Sequence, residues 1–367
     1  MEPRIENISE KSDILTFTLS GVNVSLANAL RRTIISDIPT VVFKTTPYTE
    51  NKAIFTANTT RLNNEILKQR LSSIPIFISD PDVPLQNYLL EVNVENLTDT
   101  TQIVTTQDFK IKNVTTGDFL NEKDVREIFP ANDITGYFID FARLRPKISE
   151  QIPGEKLQFT CEFSIATSKE NSMYSVVSTC SYGYTIDKVK MEEELAKQVA
   201  IWRNEDIPTE EIAFESKNWK LLEGQRIVIK NSFDFIIQTI GVFPNKELIK
   251  KACAILIDKL KYTQTIIDSE EIQIIPSENT MKNSFDIILE NEDYTIGKTI
   301  EFMLYSKFYE GTKILTYCGF KKMHPHDTHS IVRIAYKEPV DKAMINLNLT
   351  NCITDSVGVF EKIASKF

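Results

Sequence analysis

Apolar residues along the chain change from the two-residue period of a strand to the three-to-four-residue period of a helix, and they do so in the same order near both ends. Leu15 to Leu19 alternates as a strand. After a short turn, Ser25 is placed to cap a helix whose stripe is Leu26, Ala29, Leu30, Thr33 and Ile34, and Pro39 ends it. Far downstream, Phe285 to Leu289 is the matching strand, Thr295 the matching cap, and Ile296, Thr299, Ile300, Met303 and Leu304 the matching stripe. Each half then closes on an amphipathic helix. In the first, the strand Phe235 to Ile240 and the turn Gly241 to Pro244 lead to Asn245, which caps a helix bearing Leu248, Ala252, Ile255 and Leu256. In the second, Ile331 to Tyr336 and Pro339 precede a helix bearing Val340, Ala343, Leu347, Ile353, Val357 and Phe360. The repeated order reads as a divergent internal duplication.

Between the first helix and Phe235 lies a stretch that the second half lacks. Ala53 to Thr60, Leu89 to Val94, Phe109 to Arg126 (broken by Gly117) and Leu157 to Ile165 read as short strands. Pro75, Pro81, Pro84, Pro130, Pro146 and Pro153 divide them. The charged segment Lys188 to Glu211, with Trp202, predicts a helix on the flank of the first half. Thr263 to Lys282 reads as a tether whose roughly 20 residues would reach about 65 Å if extended, enough for the second half to fold back on the first. The expected architecture is α+β. A first module (1–45 and 155–262) is interrupted by a β-rich insertion (46–154) and joined by the linker (263–282) to a second module (283–367). The two modules are expected to pair in cis as a pseudo-dimer through Leu26, Leu30, Ile34, Ile296, Ile300, Met303, Leu304, Leu347, Val357 and Phe360.

Composition narrows the function. With 367 residues and 42% hydrophobic content the chain can bury at least two cores, and its net charge of -9 argues against direct grip on a phosphate backbone. Protein partners are the better expectation. Met1 to Asp13 alternates charges, and no run approaches the roughly 18 apolar residues of a membrane span, so an intracellular protein with no membrane contact is expected. Cys161, Cys180, Cys253, Cys318 and Cys352 are too scattered for a disulfide framework or a close-spaced zinc site. Catalysis has little to stand on: there is no Asp-x-Asp-x-Asp run, Gly224 and Gly241 are isolated, and Cys180 has no histidine near it in sequence. The enzymatic alternative is a free-standing metal-dependent hydrolase using His324, His326 and His329. Pro325 interrupts any helical pairing of those histidines.

Residues Leu26-Ala-Asn-Ala-Leu-Arg-Arg-Thr-Ile-Ile-Ser-Asp-Ile-Pro-Thr40, followed by Asn58-Thr59-Thr60, Asn64-Glu-Ile-Leu67 and Gln69-Arg-Leu-Ser-Ser-Ile-Pro-Ile76, resemble the alpha-like subunits of multi-subunit DNA-directed RNA polymerases. That family includes the bacterial alpha subunit, the D-type subunit of archaea and the third-largest subunit of eukaryotic polymerase II. Glu170 to Val177 is similar to its return segment after the insertion, and Phe233 to Leu260 to its last strand and helix. The second half resembles the smaller partner, the L-type subunit of archaea or its eukaryotic counterpart, through Glu290-Asn-Glu-Asp-Tyr-Thr-Ile-Gly297 and Gly319 to Pro325 before Ile331-Val-Arg-Ile334. Tyr294 stands where that partner has histidine. Head-to-tail fusion resembles the arrangement in nucleocytoplasmic large DNA viruses. Many relatives hold zinc or an iron-sulfur cluster on cysteines in the insertion; here none precedes Cys161, so no cofactor is carried over.

The resemblance implies a non-catalytic scaffold in transcription that docks the largest and second-largest subunits, together with a small zinc-binding subunit. Nucleic acid would be met only through the holoenzyme. Asn28, Arg31, Arg32, Arg61, Asn64, Glu65 and Arg70 are the implied partner-binding residues, arginine being suited to bidentate pairing with carboxylates. A viral origin implies the viral factory in host cytoplasm and packaging in the virion, with the nucleus as the alternative.

Overall fold

The computed structural model describes residues 1–80, 83–149, 151–278 and 280–367, so Pro81 of the insertion lies outside it. The helices in chain order are α1 (Val24–Ser36), α2 (Asn64–Ser72), α3 (Glu122–Ile128), α4 (Lys188–Asn204), α5 (Thr209–Leu221), α6 (Asn245–Asp268), α7 (Tyr294–Leu304) and α8 (Lys342–Ala364). With the strands they make an α+β chain of two compact units. One comprises Met1–Ile34, Thr179–Gln238 and Asn245–Phe367; the other comprises Ile35–Ser178 and Thr239–Pro244.

The first unit contains two four-stranded antiparallel sheets. One has the order Arg4–Lys11, Ile14–Ser20, Val228–Thr239, Val177–Ile186. Its first hairpin turns on Ser12 and Asp13, both with positive φ (49° and 62°), the conformation that a tight two-residue turn requires. Leu15, Phe17 and Leu19 sit opposite Ile237, Phe235 and Phe233, all buried, and the Phe17 and Phe235 rings stack with centroids 5.0 Å apart. The other sheet has the order Ile274–Pro276, Ser284–Glu290, His329–Tyr336, Leu315–Lys321. A polar clamp on the buried Asp286 ties two of its strands and the residue that follows a third. Arg333 donates from Nε and Nη2 to the two Asp286 carboxylate oxygens, both at 2.6 Å, and Ser277 Oγ donates to Asp286 at 2.5 Å. The Arg333 hydrogen bond is the main reason the Asp286 pKa lies below the ordinary aspartate value.

The same unit contains the longest helix contact. α6 packs along α8, and α7 packs on α8 as well. α6 buries Leu248, Ile249, Ala252, Cys253, Leu256 and Leu260, and α8 buries Ile345, Leu349, Cys352, Ile353, Val359, Phe360 and Ile363. Gly297 of α7 has a packing reason to lack a side chain: an added Cβ would lie 1.9 Å from the Phe320 ring. Tyr294, in the place of the expected histidine, meets Phe320 edge-on at 5.0 Å.

In the other unit, the strands Ala53–Asn58, Lys156–Glu162, Tyr88–Glu95 and Lys110–Asn113 form an antiparallel sheet in that order. Its core is rich in phenylalanine. Phe109, Phe129, Phe141 and Phe159 pack at centroid separations of 5.3 to 6.3 Å, mostly edge to face, an arrangement that complements the ring quadrupoles.

Several expectations are corrected. The helix caps are Asn23 and Asp293, not Ser25 and Thr295: their side-chain oxygens accept the Ser25 and Thr295 N–H groups, and the two hydroxyl residues sit inside the first turns. Asn245 opens α6 but turns its amide away, donating to Glu10 and to the Asp13 carbonyl. Over its described residues, the segment 263–282 is no extended tether. Its start completes α6, where Thr263 and Ile267 are buried, and Ile274–Pro276 pairs with Phe285 to Ile287. Lys188 to Glu211 is broken at Glu205 to Pro208 into α4 and α5, with Asp206 at positive φ. Phe109 to Arg126 ends in α3, capped by Asn121. The stripe of α8 differs from expectation at its start: Asp341 caps the helix, Val340 precedes it, and Leu347 is 55% exposed because Ile345 and Leu349 occupy the inward positions. A boundary at 154 would cut a sheet, since Lys156–Glu162 is central in the insertion's own sheet.

Candidate assembly surface

α1 is two-sided. Leu26, Ala27, Ala29, Leu30, Thr33 and Ile34 are buried, and Asn28, Arg31 and Arg32 lie on its half-exposed flank. Arg31 Nε donates to Asn28 Oδ1 at 3.1 Å, so two of the expected partner-binding residues are joined to each other one helical turn apart. Arg32 points elsewhere. Its Nη2 pairs with Asp293 at 2.7 Å and its Nε donates to the Thr295 hydroxyl at 2.9 Å, so its guanidinium joins α1 to the N-terminus of α7. Arg32, expected to meet an outside partner, is engaged within the chain. Partial burial pushes the Asp293 pKa up, but hydrogen bonds from Thr295 and the nearby Arg32 charge outweigh it and hold the carboxyl below its ordinary range. Asp293 also caps α7, where a carboxylate is favoured by the helix dipole.

The second group lies on and before α2. Asn58 organises the loop: its amide donates to the Leu62 carbonyl and to Asn64 Oδ1, both at 2.8 Å, and its Oδ1 accepts from Thr60 N–H and Oγ1. Asn63 then caps α2 by accepting the Ile66 N–H. Asn64 therefore has a structural bond, while Arg61 and Glu65 are exposed. Arg70 donates from Nε to the Phe141 carbonyl and from Nη2 to the Asp140 carbonyl, both at 2.8 Å, stitching α2 to the strand Asp140–Leu144. Asp293 and Thr295 are the residues that sequence reasoning did not assign to this chemistry. The repeated strand-helix order held the signal, because Asp293 stands before α7 as Asn23 stands before α1.

The sequence pattern of the RNA polymerase Rpb3/Rpb11 dimerisation domain matches residues 16–260, from the strand before α1 to the body of α6. The chain belongs to this family. Among similar proteins, DNA-directed RNA polymerase subunit Rpo3 of Pyrococcus horikoshii is 25% identical over 278 residues, covering 70% of this chain and 94% of its own length. Subunit RPAC1 of DNA-directed RNA polymerases I and III from Mus musculus is 22% identical over 314 residues, covering 73% of this chain and 86% of its own. DNA-directed RNA polymerase II subunit rpb3 of Dictyostelium discoideum is 33% identical over a shorter stretch of 79 residues.

No metal-binding chemistry collects around the histidines of this Rpb3/Rpb11 family member. His324 Nδ1 accepts the His326 N–H at 3.2 Å, and the Asp327 carboxylate accepts the His324 N–H at 2.9 Å, a self-contained turn. Among the described residues no cluster of three His, Cys, Asp or Glu side chains is arranged to hold an ion. The five cysteines are unpaired, and burial pushes the Cys180, Cys253 and Cys352 thiols up to about 12. Such thiols are packing groups at neutral pH. No helix among the described residues is long and apolar enough to cross a membrane.

Proposed function

We propose that the chain is a non-catalytic assembly subunit of a multi-subunit DNA-directed RNA polymerase and that it carries both members of an alpha-like dimer on one polypeptide. The observation that carries the first part is the family match across α1 and α6, together with relatives that are themselves named as polymerase subunits. The second part is supported by the repeated strand-helix order, by α6 lying along α8, and by the Arg32 bond to the N-terminus of α7. On this reading Leu26, Leu30 and Ile34 of the first module and Ile296, Ile300, Met303, Leu304 and Phe360 of the second supply the apolar surfaces of an intramolecular dimer. Leu347 drops out and Val357 contributes only partly.

The docking partners are the two largest subunits and a small zinc-binding subunit. Asn28 and Arg31 in one unit, and Arg61, Asn64, Glu65 and Arg70 in the other, are the contact residues. The fused arrangement points to a viral polymerase, working in a cytoplasmic viral factory and carried in the virion. Purification of the tagged chain from its native source tests the reading: two very large polymerase subunits and template-dependent RNA synthesis should accompany it. Recovery of the chain alone would overturn it.

Arg31→Glu is expected to lower recovery of those subunits at least tenfold while the thermal midpoint stays within about 2 °C. The bond to Asn28 is a half-exposed local one, and such bonds contribute little to stability. Midpoint and recovery are read on the same preparation, and undiminished recovery would remove Arg31 from the surface. Nothing in the geometry favours the hydrolase alternative. Joint His324→Ala, His326→Ala and His329→Ala substitution should leave recovery of the polymerase and its RNA synthesis unchanged, and a loss of either would reopen the role of that segment.

A further inference from the structure

An acidic chain concentrates positive charge in one place. Arg61, Arg70, Arg143 and Arg145, four of its eleven arginines, line a single cleft of about 590 Å³ in the unit containing α2, with Thr101 at the exposed edge. Two of the four guanidinium groups are fixed in place. Arg70 is held by the Phe141 and Asp140 carbonyls, which occupy Nε and Nη2. Arg145 Nε bonds Glu155 Oε1 at 2.5 Å, and the other Glu155 oxygen accepts the Arg145 N–H at 2.7 Å. Glu155 is only 5% exposed and its own N–H returns to the Arg145 carbonyl, so a buried carboxylate is committed to fixing an arginine that is itself half open to solvent. The Arg61 and Arg143 side chains have no hydrogen-bonding or ion-pair partner among the described residues. Against four guanidinium groups the lining offers two carboxylates, Glu155 and Asp140, and the first is fully engaged.

We infer that this cleft receives an acidic segment of a partner polypeptide within the polymerase. The inference rests on the assembly reading and names the chemistry of what docks at Arg61 and Arg70. Guanidinium groups pre-set in direction lose little freedom when they bind a carboxylate; Arg70 and Arg145 keep the outer edge that these bonds do not use, and Arg61 and Arg143 the whole bidentate fork. The half-buried Leu62 in the lining suits a peptide that places carboxylates beside an apolar side chain.

The test uses the chain within its purified complex. Thr101→p-benzoylphenylalanine places a photo-cross-linker at the rim, and the linked fragment is identified by mass spectrometry. The expected product joins Thr101's position to a segment of a polymerase subunit bearing at least two Asp or Glu residues. Its yield per co-purified chain should fall at least tenfold when Arg61→Glu and Arg143→Glu are added. Should that variant fail to fold, Arg61→Gln with Arg143→Gln is read the same way, with at least a threefold drop expected. A cross-link to nucleic acid, to a segment without acidic residues or to nothing, or a yield insensitive to the arginines, would overturn the inference. Co-purification is scored before irradiation, so an absence of polymerase subunits there marks failure of the assembly reading itself.

Discussion

Leu30→Asp and Ile300→Asp, each made alone, are expected to prevent stable folding of the unit that contains both helices. Leu30 and Ile300 are fully buried, one on α1 and one on α7. Truncating such a side chain costs about 2–5 kcal/mol through lost transfer energy and the cavity left behind. A carboxylate in the same place must also be desolvated without a partner, or take up a proton, which adds several kcal/mol. Against a total stability of about 5–15 kcal/mol for a domain, the sum removes most of the margin. Urea unfolding followed by far-ultraviolet circular dichroism should show the midpoint falling to near zero denaturant or the protein entering inclusion bodies. A folded Leu30→Asp or Ile300→Asp protein with an unchanged midpoint would mean that these helix faces do not hold the unit together.

Arg32→Glu is expected to destabilise the same unit by about 2–3 kcal/mol, and adding Asp293→Arg should recover about half of that. The substitution removes the bonds to Asp293 and Thr295 and sets two carboxylates against each other; because both side chains are about a third exposed, solvent screening limits the loss. Recovery is incomplete because Asp293 also caps α7, and a cap is worth about 1 kcal/mol. The pH dependence follows from the Asp293 carboxyl. Its pKa is lower folded than unfolded, so the contribution is complete above the unfolded value and is lost as pH falls through the lower folded value. The stability difference between the native chain and Arg32→Ala should therefore be flat at neutral pH and shrink below about pH 4. The Arg32 bond to the Thr295 hydroxyl does not titrate and leaves a residual difference in acid; a difference as large at pH 2 as at pH 7, or a double reversal no better than Arg32→Glu alone, would exclude the pairing as the cause.

Much of this fold is legible in the sequence because burial imposes a period. Every residue of the expected α1 and α7 stripes is buried, since a helix with one buried face can place its apolar residues in few ways; Ala27, Thr295 and Gly297 are buried as well. α8 is harder to read. Asn348 and Ser356 are buried in its inward face, Asn348 by bonding the Tyr336 hydroxyl, so the hydrophobic pattern is interrupted where the helix packs and Leu347 misleads. The strand Arg4–Lys11 gives no pattern either, being an edge strand with nearly every residue exposed. Cap positions are displaced by two residues because Asn23 and Asp293 are as good acceptors as the Ser and Thr that follow them. In the candidate surface, motif residues could be named but not their partners. Arg31 and Arg32 are adjacent in sequence, and only the course of the chain decides that one meets Asn28 and the other Asp293.

The central proposal is that a single polypeptide closes on itself to give the platform on which a polymerase is built, and cutting the connection after folding tests it most directly. A protease site inserted at the exposed residues Glu270 and Glu271 would separate α6 from the strand Ile274–Pro276 and all that follows. After cleavage, the two fragments should elute together on gel filtration at the position of the intact chain and part only in denaturant. Elution as two separate folded species would contradict the account.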